Sequence, residues 1–258
     1  MPIEPTARVG FQRAAGRYER GRPEAPPAAI DALVRSLGVS NRSTVLELGA
    51  GTGKLSRHLA PRTGRYLALE PVSAMRDQFR RTLPDVPLVA GLAEMLPLRD
   101  SSVDAVVAAQ AFHWFDIPRA MDEMHRVLRP GGTVGLLWNV RDESVDWVRR
   151  ATEILDRYDA RGPRYRHGAW REAWNRTPGF APLEGQSFPF VQRMDRAAAL
   201  DRFTSVSFIA SLDETRFAEA EATLKGLLDT HPETARRSEI ELPYQCEIYI
   251  SRWTAPPG

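Results

Sequence analysis

Residues 45 to 53 read VLELGAGTG, an apolar run that breaks into three glycines at alternate positions. Val45, Leu46 and Leu48 suit a buried strand, and glycines without a Cβ allow a sharp turn and a close approach of ligand to backbone. A second apolar run, Tyr66 to Leu69, closes on Glu70 about twenty residues later, where a doubly wound sheet places a ribose-binding carboxylate. Strands are predicted at 44 to 48, 66 to 70, 87 to 90, 103 to 109 and 133 to 138. Helices are predicted between them at 53 to 60, 72 to 82 and 117 to 129. Ahead of them Ile30, Leu33, Val34 and Leu37 recur at helical spacing and Gly38 ends that helix. The 103 to 109 run is nearly all apolar, as a strand covered on both faces must be. This alternation implies an α/β fold, a parallel sheet with right-handed crossovers.

The ligand class follows from two patterns that are missing. A dinucleotide fingerprint starting at Gly49 requires a third glycine at position 54, where Lys54 stands. A P-loop requires glycine at 48 and Ser or Thr after the lysine, where the chain has Leu48 and Leu55. A glycine turn that opens with Glu47 and adds no phosphate donors suits a ligand with an adenosine and an amino acid.

Through Glu47 to Gly53 and Glu70 the chain resembles the class I S-adenosylmethionine-dependent methyltransferases. Gly91 to Leu98 followed by Ser102 to Val107 is similar to that family's adenine loop and fourth strand, and Arg126 to Gly132 to the turn before its fifth strand. Ala109 to Asp116 and Tyr18 to Pro23 resemble the small-molecule subgroup that includes trans-aconitate-type carboxyl methyltransferases. The resemblance implies a Rossmann-like, doubly wound, seven-stranded sheet, mostly parallel with an antiparallel last strand, and a helical cap inserted after the fifth strand. It divides the chain into an N-terminal lid (1 to 27), a cofactor-binding core (28 to 140), a cap over the acceptor site (141 to 180) and the remaining strands and helices (181 to 258).

The resemblance also implies a cofactor, S-adenosylmethionine, with S-adenosylhomocysteine as product. Glu47 would face the methionine amino end, while Gly49, Ala50, Gly51 and Gly53 shape the loop. Glu70, beside Pro71, would accept from the ribose hydroxyls, since an ionised carboxylate only accepts. Leu92, Ala93 and Glu94 form the adenine loop. Leu92 stands where the family often has Asp, so recognition there falls to backbone, to Glu94 or to packing. Gln110 and Trp114 follow the fourth strand, and an aromatic face beside a sulfonium is favourable by roughly 0.5 to 2 kcal/mol. Tyr18 and Arg22 match the lid, with Arg22 a partner for the methionine carboxylate. His113 is the candidate catalytic group, a base or a positioning residue.

The implied reaction moves a methyl group to a small-molecule acceptor, most readily to an oxygen of a carboxylate or hydroxyl, with catalysis mainly by proximity and orientation. A non-methylating S-adenosylmethionine binder and an NAD-dependent oxidoreductase are the alternatives. The formal charge is +2 and the arginines are scattered among acids, without basic stretches interleaved with aromatics, so nucleic acid is not an expected partner. One cysteine, Cys246, and five dispersed histidines give no metal-ligand spacing. No apolar segment reaches the ~20 residues that cross a bilayer and no signal core opens the chain, so a cytoplasmic protein is expected.

Overall fold

The computed structural model describes Gly16, residues 19 to 159 and residues 165 to 254. Most of the expected lid, including Tyr18, lies outside the described residues. Helix α1 (Pro27–Leu37) has proline in its first turn and a left-handed Gly38 (φ 68°) at its end, and it buries Ala29, Ile30, Ala32, Leu33 and Leu37. The chain continues through β1 (Thr44–Leu48), α2 (Ser56–Leu59), β2 (Arg65–Leu69), α3 (Ser73–Thr82), β3 (Leu88–Val89), β4 (Val103–Ala109), α4 (Ile117–Val127) and β5 (Leu128–Arg141). It then forms α5 (Asp146–Asp156), α6 (Ala169–Arg176), β6 (Glu184–Asp195), α7 (Arg196–Thr204), α8 (Ser207–Ala210), α9 (Glu214–Thr230) and β7 (Glu239–Arg252).

These strands make one seven-stranded sheet in the order β3-β2-β1-β4-β5-β7-β6. Strands β1 to β5 pair in parallel, and β7 runs antiparallel to both neighbours, β5 and β6. The expected α/β architecture with an antiparallel last strand is therefore present. One face of the sheet is packed by α1 through Leu33 and Leu37, the other by α4 and α6 through Met121, Met124, Trp170 and Trp174. A further core joins α5, α7 and α9, with Trp147 edge-on to Phe203 at 6.0 Å. The tryptophans at 147, 170 and 174 are all buried packing residues.

Several boundaries differ from the sequence reading. The helix expected from 53 starts only at Ser56, because the glycine turn continues to Leu55, and after Leu59 it tightens into a 3₁₀ turn that contains Pro61. The expected turn at Pro130-Gly131-Gly132 is absorbed into β5 as an irregularity, where the register with β4 shifts between Val103 and Ala105. Helices α7 and α8 follow each other closely and are separated by Ser205 and Val206. Strands β6 and β7 pair over twelve positions, from Glu184↔Ile250 to Asp195↔Glu239, and so run longer than their apolar cores suggest.

Candidate active site

The site lies across the carboxyl ends of β1, β4 and β5, where a doubly wound sheet leaves a crevice. After β1 the chain turns through Gly49, Gly51 and Gly53 at φ 64°, 60° and 88°. A Cβ on Gly49 would stand 2.7 Å from the Ala111 Cβ and one on Gly53 2.6 Å from Leu83 Cδ1, whereas one on Gly51 meets nothing within 4 Å. Gly49 and Gly53 thus serve the turn and its packing, and Gly51 borders open space. Ala50 between them is buried and its N–H donates to the Leu69 carbonyl at 3.0 Å.

Glu70 ends β2 with both carboxylate oxygens anchored by backbone donors, Gly51 N–H and Val72 N–H, each at 2.8 Å. Each oxygen keeps a lone pair for a further donor. Burial pushes its pKa up to about 7. Arg76 donates to the carbonyls of Glu70 and Pro71 and so fixes the turn that carries them. Glu47 is also pushed up to about 7 by burial, and it accepts from the hydroxyls of Ser56 and Tyr66, the latter at 2.8 Å. Its carboxylate ties the glycine turn to α2 and β2 at the floor of the crevice.

Leu92, Ala93 and Glu94 form a short loop in which Met95 N–H donates to Leu92 O at 3.2 Å and Ala93 is buried. Glu94 Oε1 accepts from Asp116 N–H at 2.8 Å, so this acid binds its loop to the segment after β4. That segment starts with Gln110, a non-glycine residue at φ 58° whose N–H donates to Leu137 O at 2.8 Å. Such strained backbone concentrates at functional sites. A 3₁₀ turn, Phe112–Trp114, then presents His113 and Trp114. Trp138 on β5 donates its indole N–H to His113 Nδ1 at 3.2 Å. Because indole is donor only, Nδ1 holds a lone pair and the ring proton of neutral His113 sits on Nε2. That arrangement makes the outer nitrogen a donor, which favours positioning over proton abstraction.

Two adjoining cavities occupy the crevice. The smaller, about 50 Å³, borders Glu47, the glycine turn, Pro23 and Ala109. The larger, about 170 Å³, extends over His113, Trp114, Trp138, Tyr165 and Phe208. Arg22, Gln110, Asn139 and Arg202 line both. The sequence reading had singled out Arg22 and Gln110 but missed Asn139, Arg141 and Arg202. Arg202 on α7 is buried, donates Nε–H to Tyr244 Oη at 2.5 Å, and leaves Nη1 without a hydrogen-bond partner. At the end of β5, Arg141 has an unpartnered buried Nε, and burial together with the Arg202 charge lowers its pKa to about 10. Asn139 donates to the carbonyls of Pro23 and Glu24, both at 3.3 Å, and its buried Oδ1 has no partner. Among the described residues the acids on the larger cavity are Glu143 and Asp156, and Asp156 is already paired with Arg166. The cavity is therefore cationic.

The segment from Glu19 to Ala25 walls the smaller cavity. Glu19 accepts from Thr52 and, at 2.9 Å, from Arg57, and its carbonyl accepts from Lys54 Nζ at 2.9 Å. Burial opposes ionisation of Glu19, yet the Thr52 and Arg57 donors hold its pKa below the usual value. Glu24 pairs with Arg57 at 2.6 Å and lies 3.0 Å from His58. On its other side the segment meets α7, where Arg20 pairs with Asp201 at 2.9 Å.

Comparison with known proteins agrees with this arrangement. A family model described as a methyltransferase domain matches residues 46–136. An uncharacterized methyltransferase of Mycobacterium tuberculosis (strain ATCC 25618 / H37Rv) is 38% identical over 236 residues, which cover 92% of each chain. A malonyl-[acyl-carrier protein] O-methyltransferase of Pectobacterium atrosepticum is 32% identical over 147 residues, 57% of each chain. The solved structure of an Anaeromyxobacter dehalogenans protein described as a "putative type II methyltransferase" superposes with a TM-score of 0.65 at 27% identity, over 92% of this chain and 99% of that one. The chain belongs to the class I S-adenosylmethionine-dependent methyltransferases. This removes the nicotinamide alternative. Among the described residues no helix is long and apolar enough to cross a membrane, and no group of three or more His, Cys, Asp or Glu could hold a metal ion.

Proposed function

We propose that the chain methylates an oxygen of a small anionic acceptor, a carboxylate first and a hydroxyl second. The observation that carries this reading is the Arg141 guanidinium, whose buried Nε has no hydrogen-bond partner, on the larger cavity next to the glycine-turn cavity. An uncompensated buried cation is costly and signals an anionic ligand.

The chain's residues fit S-adenosylmethionine. Gly51 leaves open space beside the turn, and the lone pairs of Glu70 suit the ribose hydroxyls. Leu92, Ala93 and Glu94 border adenine, and Arg22 with Arg202 faces the methionine carboxylate. When bound, the cofactor supplies a methyl group on a positively charged sulfur, and attack by the acceptor oxygen forms the oxygen–carbon bond as the sulfur–carbon bond breaks with its electron pair left on sulfur. A carboxylate nucleophile has no proton to lose, so His113 donates to the acceptor rather than taking a proton from it. Arg141 holds the acceptor, and the region from 141 to 180 covers it through Leu155, Asp156 and Tyr165. Holding the oxygen in line supplies most of the acceleration, for which effective molarity offers roughly 7 to 11 kcal/mol.

Isothermal titration with S-adenosylhomocysteine, followed by transfer of a tritiated methyl group to panels of carboxylic acids and phenols, tests the reading. Binding together with transfer to a carboxylate is expected. Binding without transfer to any acid or phenol would favour the non-methylating alternative, and absence of binding would defeat the cofactor assignment.

A further inference from the structure

The larger cavity has two chemically different walls, and the strand that divides them shows why. Along β5 successive side chains alternate faces. Asn139 and Arg141 point to one side with their paired neighbours Cys246 and Tyr244, while Trp138 points to the other with Glu247. On the first side α7 adds Arg202, so that wall is cationic. On the second, Trp138 lies 4.5 Å from the Trp170 ring and 4.9 Å from the Tyr165 ring, and His113 and Trp114 continue the same surface.

The polar atoms of Trp138 and Tyr165 are already engaged. The Trp138 N–H is donated to His113, and the Tyr165 hydroxyl is donated to Glu247 and lies 2.9 Å from the Tyr249 hydroxyl. This wall offers ring surface, and a hydroxyl-rich acceptor pressed against it would leave polar groups unpaired at a cost of roughly 1 to 3 kcal/mol each. The cavity, about 170 Å³, has room for a single ring, since an apolar cavity of about 150 Å³ accepts benzene.

Resting on the carboxylate reading above, we propose that the acceptor is a one-ring aromatic carboxylic acid. Arg141 holds one carboxylate oxygen, the second oxygen faces the space shared with the glycine-turn cavity, and the ring lies against Trp114, Trp138 and Tyr165. The product is the neutral methyl ester of that acid.

The test titrates the full chain, saturated with S-adenosylhomocysteine, with benzoate, cyclohexanecarboxylate, benzamide and gluconate, and then measures methyl transfer to the acids from S-adenosylmethionine. Benzoate should bind at least about fivefold more tightly than cyclohexanecarboxylate, with benzamide and gluconate weaker still. In Tyr165→Leu that preference should fall below twofold while both acids still bind, and in Arg141→Gln both acids should weaken about tenfold or more. Equal or reversed affinity of the two ring acids in the unmodified protein would overturn the aromatic assignment, and this comparison does not depend on either variant folding. Transfer to aliphatic acids without ring preference would overturn the inference and leave the carboxylate reading standing. Binding of S-adenosylhomocysteine with no binding of any carboxylate would overturn both.

Discussion

Glu47 near the end of β1 and Glu70 just past the paired strand β2 are both pushed up to about 7 by burial, yet their surroundings give them different work. Glu70 is held by two backbone N–H groups and keeps lone pairs, while Glu47 is held by two side-chain hydroxyls and braces the turn. Glu70→Ala should weaken S-adenosylhomocysteine binding about 10- to 100-fold by calorimetry, since hydrogen bonds to a charged group contribute about 1.5 to 3 kcal/mol each. Unchanged affinity would remove Glu70 from the ribose site. The raised acids also fix the sign of a pH effect. Between about 4.5 and 7 the folded state holds protons that the unfolded state has released. Their contribution is thus complete below about 4.5 and disappears as pH rises through 7, by up to roughly 3 kcal/mol for each group. Urea denaturation should show the ligand-free protein losing stability from pH 5 to 8, and Glu47→Gln should flatten that slope. If the acceptor is a carboxylate, His113→Asn should lower kcat less than about tenfold, because such an acceptor has no proton to lose and needs no general base, whose contribution is typically 10²- to 10⁴-fold. Glu47 and Glu70 stand out in the sequence as candidates because each lies at the carboxyl end of an apolar strand pattern, and the structure sets Glu70 against the glycine turn through Gly51 N–H. Arg141 and Arg202 do not, because nothing local separates a buried arginine from the many exposed ones. Their significance arises only when α7 closes on the end of β5.

The glycine turn separates two uses of glycine that a motif cannot distinguish. Gly51 and Gly53 both have positive φ, but a Cβ at Gly51 enters open space while one at Gly53 stands 2.6 Å from Leu83 and 3.0 Å from Phe79. Gly53→Ala should therefore lower the melting temperature more than Gly51→Ala, since it adds overpacking, typically 1 to 3 kcal/mol, to backbone strain of roughly 1 to 2 kcal/mol. Gly51→Ala should instead show its larger effect on S-adenosylhomocysteine affinity. The reverse order in thermal melts would mean that the turn relaxes around Leu83. Element prediction followed the same physics. Strands β1 and β4 match their predicted bounds because both are buried on two faces and bounded by turn residues. Strand β6 is exposed along most of its length at the edge of the sheet, so it carries little apolar signal and its extent is set by pairing with β7.

Site assembly depends on segments far apart in sequence, and the one between Glu19 and Ala25 shows how. It is clamped on one side to α2 and the glycine turn through Glu19, Glu24, Thr52, Lys54 and Arg57, and on the other to α7 and β6. Gly21 is needed at the second contact, where a Cβ would stand 2.7 Å from Arg202 N. The same segment delivers Arg22 to both cavities. Its position therefore couples the two cavities. Arg57 is the hinge of the ionic contacts, bridging Glu19 at 2.9 Å and Glu24 at 2.6 Å. Removing it leaves the two acids facing Lys54 and His58 with fewer cationic donors. Arg57→Ala should accelerate hydrogen exchange in residues 19 to 25 and raise the S-adenosylhomocysteine Kd about three- to tenfold, mainly through faster release. Since these pairs are partly exposed, salt should act in the same direction: raising ionic strength from about 0.05 to 0.5 M should speed release from the unmodified protein and alter the variant less. If exchange and release are the same in both proteins, Asn139 and Gln192, which bind the segment's backbone carbonyls, are what keep it closed.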